Sequence, residues 1–142
     1  MLRMVILTAI PSLLVGLAGG IGLVIGYGGL GAVEGRHWPA SSPMQVTELA
    51  AATNGHTRFA GTFMVLRADR CKWRGFDWRL GKRGERDVPV EVTHGPPLVR
   101  PNGEAVFAGW TVDVPPLQFM DTHADVLHDC GWPWLTRTPF WN

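Results

Sequence analysis

Residues Glu104–Val114 read EAVFAGWTVDV and carry the clearest secondary-structure signal in the chain. Apolar side chains recur there at alternate positions, at Val106, Ala108, Trp110, Val112 and Val114. Successive side chains of a β-strand point to opposite faces, so this period of two predicts a strand with one row against a core. The two prolines that follow, Pro115 and Pro116, predict where the strand ends.

Similar alternation recurs on both sides of this segment, between clusters of Gly and Pro. The other residues predicted to face inward are Phe59, Phe63, Val65, Phe76, Trp78, Leu80, Val88, Val90, Val92, Ala124, Val126, His128 and Cys130. Gly81–Gly84 is expected to turn a hairpin. Leu135–Trp141 is expected to form an edge strand because Pro139 lacks an N–H. Gln45–Ala52 fits a first strand or one or two helical turns, of which we favour the strand.

About six or seven short strands separated by turns predict an all-β fold, a β-sandwich, over residues 45–142. The apolar run Met4–Val33 carries no charged side chain and is longer than the roughly 20 residues that a membrane-crossing helix needs. We therefore predict an N-terminal transmembrane anchor over 1–33 and a polar tether over 34–44. A cleaved secretory signal is the alternative, but its apolar region is usually only about 7–15 residues long.

Small residues recur every four positions in the apolar run, in two rows. One row is Ser12, Gly16 and Gly20, and the other is Ala18, Gly22 and Gly26. This spacing places the members of each row on one stripe of a helix, where a second helix can approach closely. Glycine is also common in membrane helices in general, and that alternative stays open. The rows favour contact with a second copy of the chain or with a larger membrane protein.

Cys71 and Cys130 are the only cysteines in the sequence. Their even number, the export-type N-terminal segment and the small β domain predict a disulfide, which we expect to join the two sheets. The alternative is two free thiols in a cytosolic domain. Arg3 precedes the apolar run and favours a cytoplasmic N-terminus. The predicted location is therefore the inner membrane, crossed once, with the sandwich in the periplasm.

Cys71, Trp78 and the segment Asp125–Cys130 resemble an immunoglobulin-like sandwich, in which a buried Trp packs on an inter-sheet disulfide. Trp78 is closer to the first cysteine than is usual, and His128 stands where that family has a Tyr. The layout is similar to small membrane proteins of tailed phages and prophages that end soon after a segment like Cys130–Trp134. That resemblance implies action at the host inner membrane, in lysis control or exclusion of later infection, and it carries no established biochemical activity.

Composition and motifs argue against several functional classes. A net charge of +1 excludes a generally basic nucleic-acid binder. The sequence has no nucleophile elbow, zinc-protease, P-loop or dinucleotide-binding motif. Strand alternation places His123 and Asp125 opposite His128, which argues against a shared metal site. We expect no enzyme, metal or cofactor, and an enzyme using His94, His123 and His128 is the weaker alternative.

Charge is distributed unevenly along the predicted sandwich. Basic residues outnumber acidic ones from Arg67 to Arg86, whereas Glu104–Asp129 has acids and no Lys or Arg, so we expect a basic hairpin and a separate acidic end. The possible binding surface comprises Lys72, Arg74, Arg79, Lys82, Arg83, Arg86, Trp132 and Trp134. Aromatic residues between the cations are also typical of a platform for single-stranded nucleic acid. Outside the cytoplasm, anionic lipid or an acidic protein fits better, and the alternative is a solvated sheet face.

These observations predict a non-enzymatic, membrane-anchored protein whose periplasmic sandwich makes protein or envelope contacts. The alternative is an accessory single-span subunit of a larger membrane complex, held through the glycine-rich helix. The expected partners are the lipid bilayer and a membrane or envelope protein, or a second copy of the chain. Neither a nucleic acid nor a small-molecule substrate is expected. The tryptophans near the C-terminus are expected either to cap the core or to form a contact patch.

Overall fold

The computed structural model describes residues 26–93 and 101–142, which form two antiparallel sheets in a sandwich-like arrangement. The predicted all-β sandwich is confirmed at this level. The strands are β1 (Gln45–Ala51), β2 (Thr57–Val65), β3 (Lys72–Leu80), β4 (Val88–Pro89), β5 (Val92–Thr93), β6 (Gly103–Val112), β7 (Thr122–Asp129) and β8 (Thr136–Trp141). Short 3-10 helices lie at Thr53–Gly55 and Pro116–Asp121. Residues 26–37 are α-helical.

Each sheet contains four strands, in the orders β1-β2-β6-β5 and β4-β3-β7-β8. Neighbouring strands are antiparallel throughout. The short strands β4 and β5 carry the chain from one sheet to the other, because Val90 bonds to β3 and Asp113, after β6, bonds to Glu91. The core therefore lies between the two sheets, and the chain crosses from one sheet to the other at β4 and β5.

Aromatic side chains fill most of the core. Phe59 is buried at its centre, with its ring 5.3 Å from Trp78, 5.2 Å from Phe119 and 6.0 Å from Trp110. Ring pairs at these separations add to the free energy gained from burying their large apolar surface. The two sheets are thus joined mainly by ring packing, which the alternating aromatic residues of the sequence make possible.

The inward row predicted for β6 is only partly correct. Its last three members are buried, but the predictions for Val106 and Ala108 are wrong, since Ala105 and Phe107 face the core instead. The cause is a β-bulge against β2, where Gly109 adopts a φ of +70°. An extra residue in one strand reverses the alternation beyond it, and glycine tolerates this backbone conformation.

Several other strand predictions are confirmed. The segment after residue 44 forms β1, Gly81–Gly84 lies in the loop between the antiparallel strands β3 and β4, and β8 with Pro139 is an edge strand. The inward prediction for Val88 is wrong, because β4 is a two-residue edge strand that leaves this side chain exposed. Local pattern therefore locates strands well and assigns faces less well at sheet edges.

The helix at 26–37 lies directly on β8. A Cβ at Gly31 would overlap the carbonyl oxygen of Leu135, and one at Gly35 would overlap that of Arg137. Helix and strand backbones are therefore in contact, at two positions where only glycine fits. Within the described residues, no helix is long and apolar enough to span a membrane. Residues 1–25 of the predicted anchor lie outside the described residues.

The predicted tether, residues 34–44, packs against the sandwich. Ala40, Ser41 and Met44 are buried. The Met44 N–H donates to the Phe140 carbonyl of β8 at 2.7 Å, and the Leu66 N–H, just after β2, donates to the Ala40 carbonyl at 3.0 Å. The segment therefore connects β8 of one sheet to the end of β2 in the other, and it fixes the helix relative to both.

Candidate functional site

Cys71 and Cys130 form the predicted disulfide, with their Cα atoms 4.1 Å apart. The prediction that it joins the two sheets is wrong. Lys72 of β3 pairs with Asp129 of β7, so the disulfide joins neighbouring strands of one sheet at their ends. Trp78 lies seven residues further along β3, on the order of 20 Å away. Trp78 therefore does not pack on the Cys71–Cys130 disulfide, contrary to what the family resemblance implied.

A cavity of about 320 Å³ lies beside the disulfide, at the end of the sandwich where β3 begins and β7 ends. Its walls are mostly apolar, and several charged side chains also line it. The lining residues are Ala40, Ser41, Phe63, Val65, Arg67, Ala68, Cys71, Lys72, Trp73, Arg74, Phe76, Val126, His128 and Phe140. This size and chemistry are typical of binding sites for small amphipathic molecules.

Two buried polar side chains line this cavity. Among the described residues, the Nδ1 atom of His128 and the Oγ atom of Ser41 have no hydrogen-bond partner. Burial, assisted by the positive charge of Arg67, lowers the pKa of His128 to about 4. The imidazole is therefore neutral near pH 7. The inward-facing position predicted for His128 is confirmed, since its ring is buried, and Nδ1 has no partner among the described residues.

An ion-pair network covers the outer face of the β4-β3-β7-β8 sheet. Arg79 contacts Asp77 at 2.9 Å and Asp87 at 2.8 Å, and Arg83 contacts Asp125 at 2.6 Å. Arg137 of β8 also pairs with Asp77. The expected separation of a basic hairpin from an acidic end is wrong here, because β3 and β7 are neighbours and their opposite charges interleave.

The network shifts the proton affinities of its members. Burial alone would raise the pKa of Asp77, but hydrogen bonds from Arg79 and Arg137 outweigh it and leave the pKa lowered. Hydrogen bonds to Asp87 and Asp77 raise the pKa of Arg79. These groups stay charged near neutral pH. Their pairing makes Arg79 and Arg83 poor candidates for binding a separate anion.

The remaining cations of the predicted surface are placed differently. Arg74 pairs with Asp129 at 2.5 Å across β3 and β7, and the hydrogen bond from Arg74 lowers the pKa of Asp129. Lys72, Lys82 and Arg86 are exposed. Lys72 lines the cavity, whereas Lys82 and Arg86 lie in the loop between β3 and β4. The structure therefore divides the predicted surface into a cavity part, an ion-pair part and a loop part.

Trp132 and Trp134 stack on each other with ring centroids 5.4 Å apart, and Tyr27 of the helix stacks on Trp134 at 5.9 Å. We name these three residues the aromatic cluster. Trp132 is 55% exposed, so it does not cap the core, while Trp134 is half-buried against the helix. A Cβ added at Gly26, at the start of the helix, would meet nothing within 4 Å among the described residues. Gly16, Gly20 and Gly22 lie outside the described residues.

Glu34 is a site residue that the sequence analysis missed. Its carboxylate accepts hydrogen bonds from Trp134 Nε1 at 3.2 Å and Thr136 Oγ1 at 2.7 Å, and it pairs with Arg67 at 3.3 Å. Arg67 also donates to the Trp38 carbonyl at 2.9 Å. Glu34 therefore links the helix to β8 and to the loop between β2 and β3. The only signal for it was its position as the first charged residue after the apolar run.

The histidines considered for chemistry are separated in space. His123 contacts the Gly81 carbonyl at 2.9 Å and Asp87 at 3.3 Å, on the ion-pair face, whereas His128 lines the cavity. His94 lies outside the described residues. Over 26–93 and 101–142, no group of three or more His, Cys, Asp or Glu is arranged to hold a metal ion. No protein-family model, curated protein or solved structure matches the chain.

Proposed function

We propose that the chain is a non-enzymatic, single-span membrane protein whose sandwich stands on the periplasmic side of the inner membrane and contacts another membrane or envelope protein. The docking of the helix at 26–37 on β8 is the observation that carries this proposal. The apolar run Met4–Val33 overlaps this helix, so an anchor formed by the run would hold the sandwich in a set orientation. A protein that presents one fixed face needs such a connection.

The aromatic cluster supports a position next to the bilayer. Tyr27 belongs to the apolar run itself, and it stacks with Trp134 and, through it, with the exposed Trp132. Tyr and Trp concentrate at membrane interfaces because their rings have apolar bodies and polar tips. The end of the sandwich that carries the disulfide would then face the lipid head groups.

The strand order supports an immunoglobulin-like fold. If β1 to β8 are assigned to strands A, B, C, C′, D, E, F and G, the two sheets become A-B-E-D and C′-C-F-G. Constant-type immunoglobulin domains have A-B-E-D opposite C-F-G, with a buried Trp on strand C. Trp78 is buried on β3, the corresponding strand. The disulfide within one sheet is the departure from that pattern.

The disulfide supports a periplasmic location, because such bonds persist in oxidising compartments and are rare in the cytosol. A phage or prophage origin, suggested by the layout of the chain, would place the contacts at the host inner membrane. The expected result of thiol labelling in intact cells is that a membrane-impermeant maleimide reacts only after an impermeant reductant is added. Labelling that requires cell lysis would contradict the proposed orientation.

Docking of the helix can be tested with two leucine variants. Gly35→Leu should detach the helix, because its side chain would overlap the backbone at Arg137 and Thr138. Overpacking of about 1–3 kcal/mol should raise trypsin cleavage after Arg36 by roughly fivefold or more. Gly28→Leu on the same helix, with nothing within 4 Å of its Cβ, is the matched control and should leave cleavage unchanged.

The same variants test whether docking of the helix holds the sandwich at the membrane surface. In vesicles whose lipids carry brominated acyl chains, tryptophan fluorescence should be quenched in the wild type and in Gly28→Leu, since Trp132 and Trp134 would lie at the interface. Quenching should fall in Gly35→Leu because the sandwich is no longer held there. Equal quenching of all three proteins would contradict the fixed orientation that the proposal requires.

A further inference from the structure

We propose that the cavity beside the disulfide binds a single alkyl chain that carries an anionic head group, such as a fatty acid or one chain of an anionic lipid. This inference goes beyond the proposed contact function, which needs no ligand. It rests on the apolar walls of the cavity, on the buried polar atoms Ser41 Oγ and His128 Nδ1, and on the cationic side chains near them.

The polar and apolar residues of the cavity lie at different depths. His128 is one residue from the end of β7, Ser41 bridges to Val65 at the end of β2, and Lys72 begins β3. These residues therefore lie near the open end of the sandwich. Phe76 pairs with Val126 further along the same strands. The cavity is thus polar near its mouth and apolar towards the core.

The apolar inner part suits a hydrocarbon chain. Phe63, Phe76, Val126 and Phe140 line it, and the rings of Phe63 and Phe140 meet edge to face at 5.2 Å. The volume of about 320 Å³ is at the lower end of the usual range for ligand sites. It suits one chain of medium length and is too small for a whole phospholipid.

The outer part suits an anionic head group. Ser41 Oγ and His128 Nδ1 are buried without a partner among the described residues, and a buried polar group gains free energy when a ligand supplies its hydrogen bond. Arg67 lies close enough for its charge to act on His128. Lys72 is exposed beside them. Arg67 itself is paired with Glu34 at 3.3 Å, so the Lys72 ammonium is the cation available for the ligand. Together with the hydroxyl and the imidazole it can bind a carboxylate or a phosphate.

The first test uses the full-length chain in phosphatidylcholine nanodiscs, titrated with 11-bromoundecanoate, whose bromine quenches nearby tryptophan. Trp73 lines the cavity, so saturable quenching is expected. Ala68→Phe places a ring in the cavity and should weaken binding at least about fivefold, the ratio that corresponds to the lower range of overpacking costs. Ala108→Phe, on the exposed face of β6, is the matched control and should bind like the wild type.

The head-group contact is tested with Lys72→Gln. This variant should bind 11-bromoundecanoate roughly two- to fivefold more weakly, as expected for an exposed ion pair, and should bind 11-bromoundecanol as the wild type does. Non-saturable quenching, or equal binding by Ala68→Phe and the wild type, would overturn the proposal. Neither result would alter thiol labelling in cells, so this inference and the proposed orientation fail independently.

A second arm identifies the source of the chain. Nanodiscs of phosphatidylglycerol with one brominated chain are used without added fatty acid. Trp132 and Trp134 would be quenched at the interface in every variant, so the readout is the additional quenching of Trp73 in the cavity. Loss of this additional quenching in Ala68→Phe but not in Ala108→Phe would assign the ligand to a membrane lipid. Equal quenching in both variants, together with saturable binding of the free acid, would assign it to a soluble fatty acid.

Discussion

Removing the disulfide by Cys71→Ala together with Cys130→Ala is expected to lower the free energy of unfolding of the sandwich by about 4 kcal/mol. The two cysteines are separated by 59 residues, and closing a loop of that length in the unfolded chain accounts for the figure in the chain-entropy model. Domains of this size are usually stable by only about 5–15 kcal/mol. The loss is therefore a large part of the total.

The measurement is the urea midpoint of the full-length chain in mild detergent, followed by tryptophan fluorescence. Alanine is the appropriate replacement because Cys71 is buried and a serine hydroxyl there would lack a partner. Wild-type protein treated with a reductant is the control, since it loses the cross-link and keeps both sulfur atoms. It should show a similar midpoint to the double variant. An unchanged midpoint in both would show that the disulfide does not stabilise the fold.

Acidification from pH 7 to pH 4 is expected to destabilise the sandwich by about 3 kcal/mol through His128 alone. In the unfolded chain this histidine titrates at its ordinary value of 6.5, whereas burial lowers its pKa to about 4 in the fold. Between these values the unfolded state binds the proton and the folded state does not. The stability is therefore complete above about 6.5 and is lost as the pH falls towards 4.

The environment of His128 explains why its ring resists protonation. An imidazolium there would lose its hydration on burial, and the nearby positive charge of Arg67 would oppose it further. Protonation of Asp77 contributes little to the change in unfolding free energy between pH 7 and pH 4. The lowered pKa of its carboxyl contributes only a small loss by pH 4, because most of its contribution is lost as the pH falls below its ordinary value of 3.8.

The pH effect is measured as the change in unfolding free energy between pH 7 and pH 4, compared between the wild type and His128→Phe. The variant should lose about 3 kcal/mol less than the wild type over this range, whatever its own stability at pH 7. His37→Gln, at an exposed position on the helix, is the control and should behave like the wild type. Parallel pH profiles for all three proteins would show that His128 is not the titrating group.

Much of the fold could be predicted from the sequence because alternation and turn residues act locally. The strands β3, β7 and β8 follow from residues next to one another in the chain. Gly109 shows the limit of this reasoning. The bulge it permits reverses the faces of the first half of β6, and only the pairing with β2 reveals it.

The candidate site was less predictable because its parts are distant in sequence. Ser41, Phe63, Trp73 and His128 come from four separate segments, and they meet only when the sheets pack. The basic hairpin was visible in the sequence, but its neutralisation by Asp77 and Asp125 depends on which strands are neighbours. The order of charges along the chain does not show which strands are neighbours in the sheet.

The sequence by itself therefore determined the strand-forming segments of an all-β sandwich, and it offered Cys71 and Cys130 as a disulfide pair. Tertiary structure alone decided that their bond lies within one sheet, that Gly31 and Gly35 seat the helix on β8, and that a partly polar cavity opens beside Cys71. The physical reason is range. Side-chain alternation is set by adjacent residues, whereas strand order, helix docking and cavities are set by packing between segments far apart in the chain.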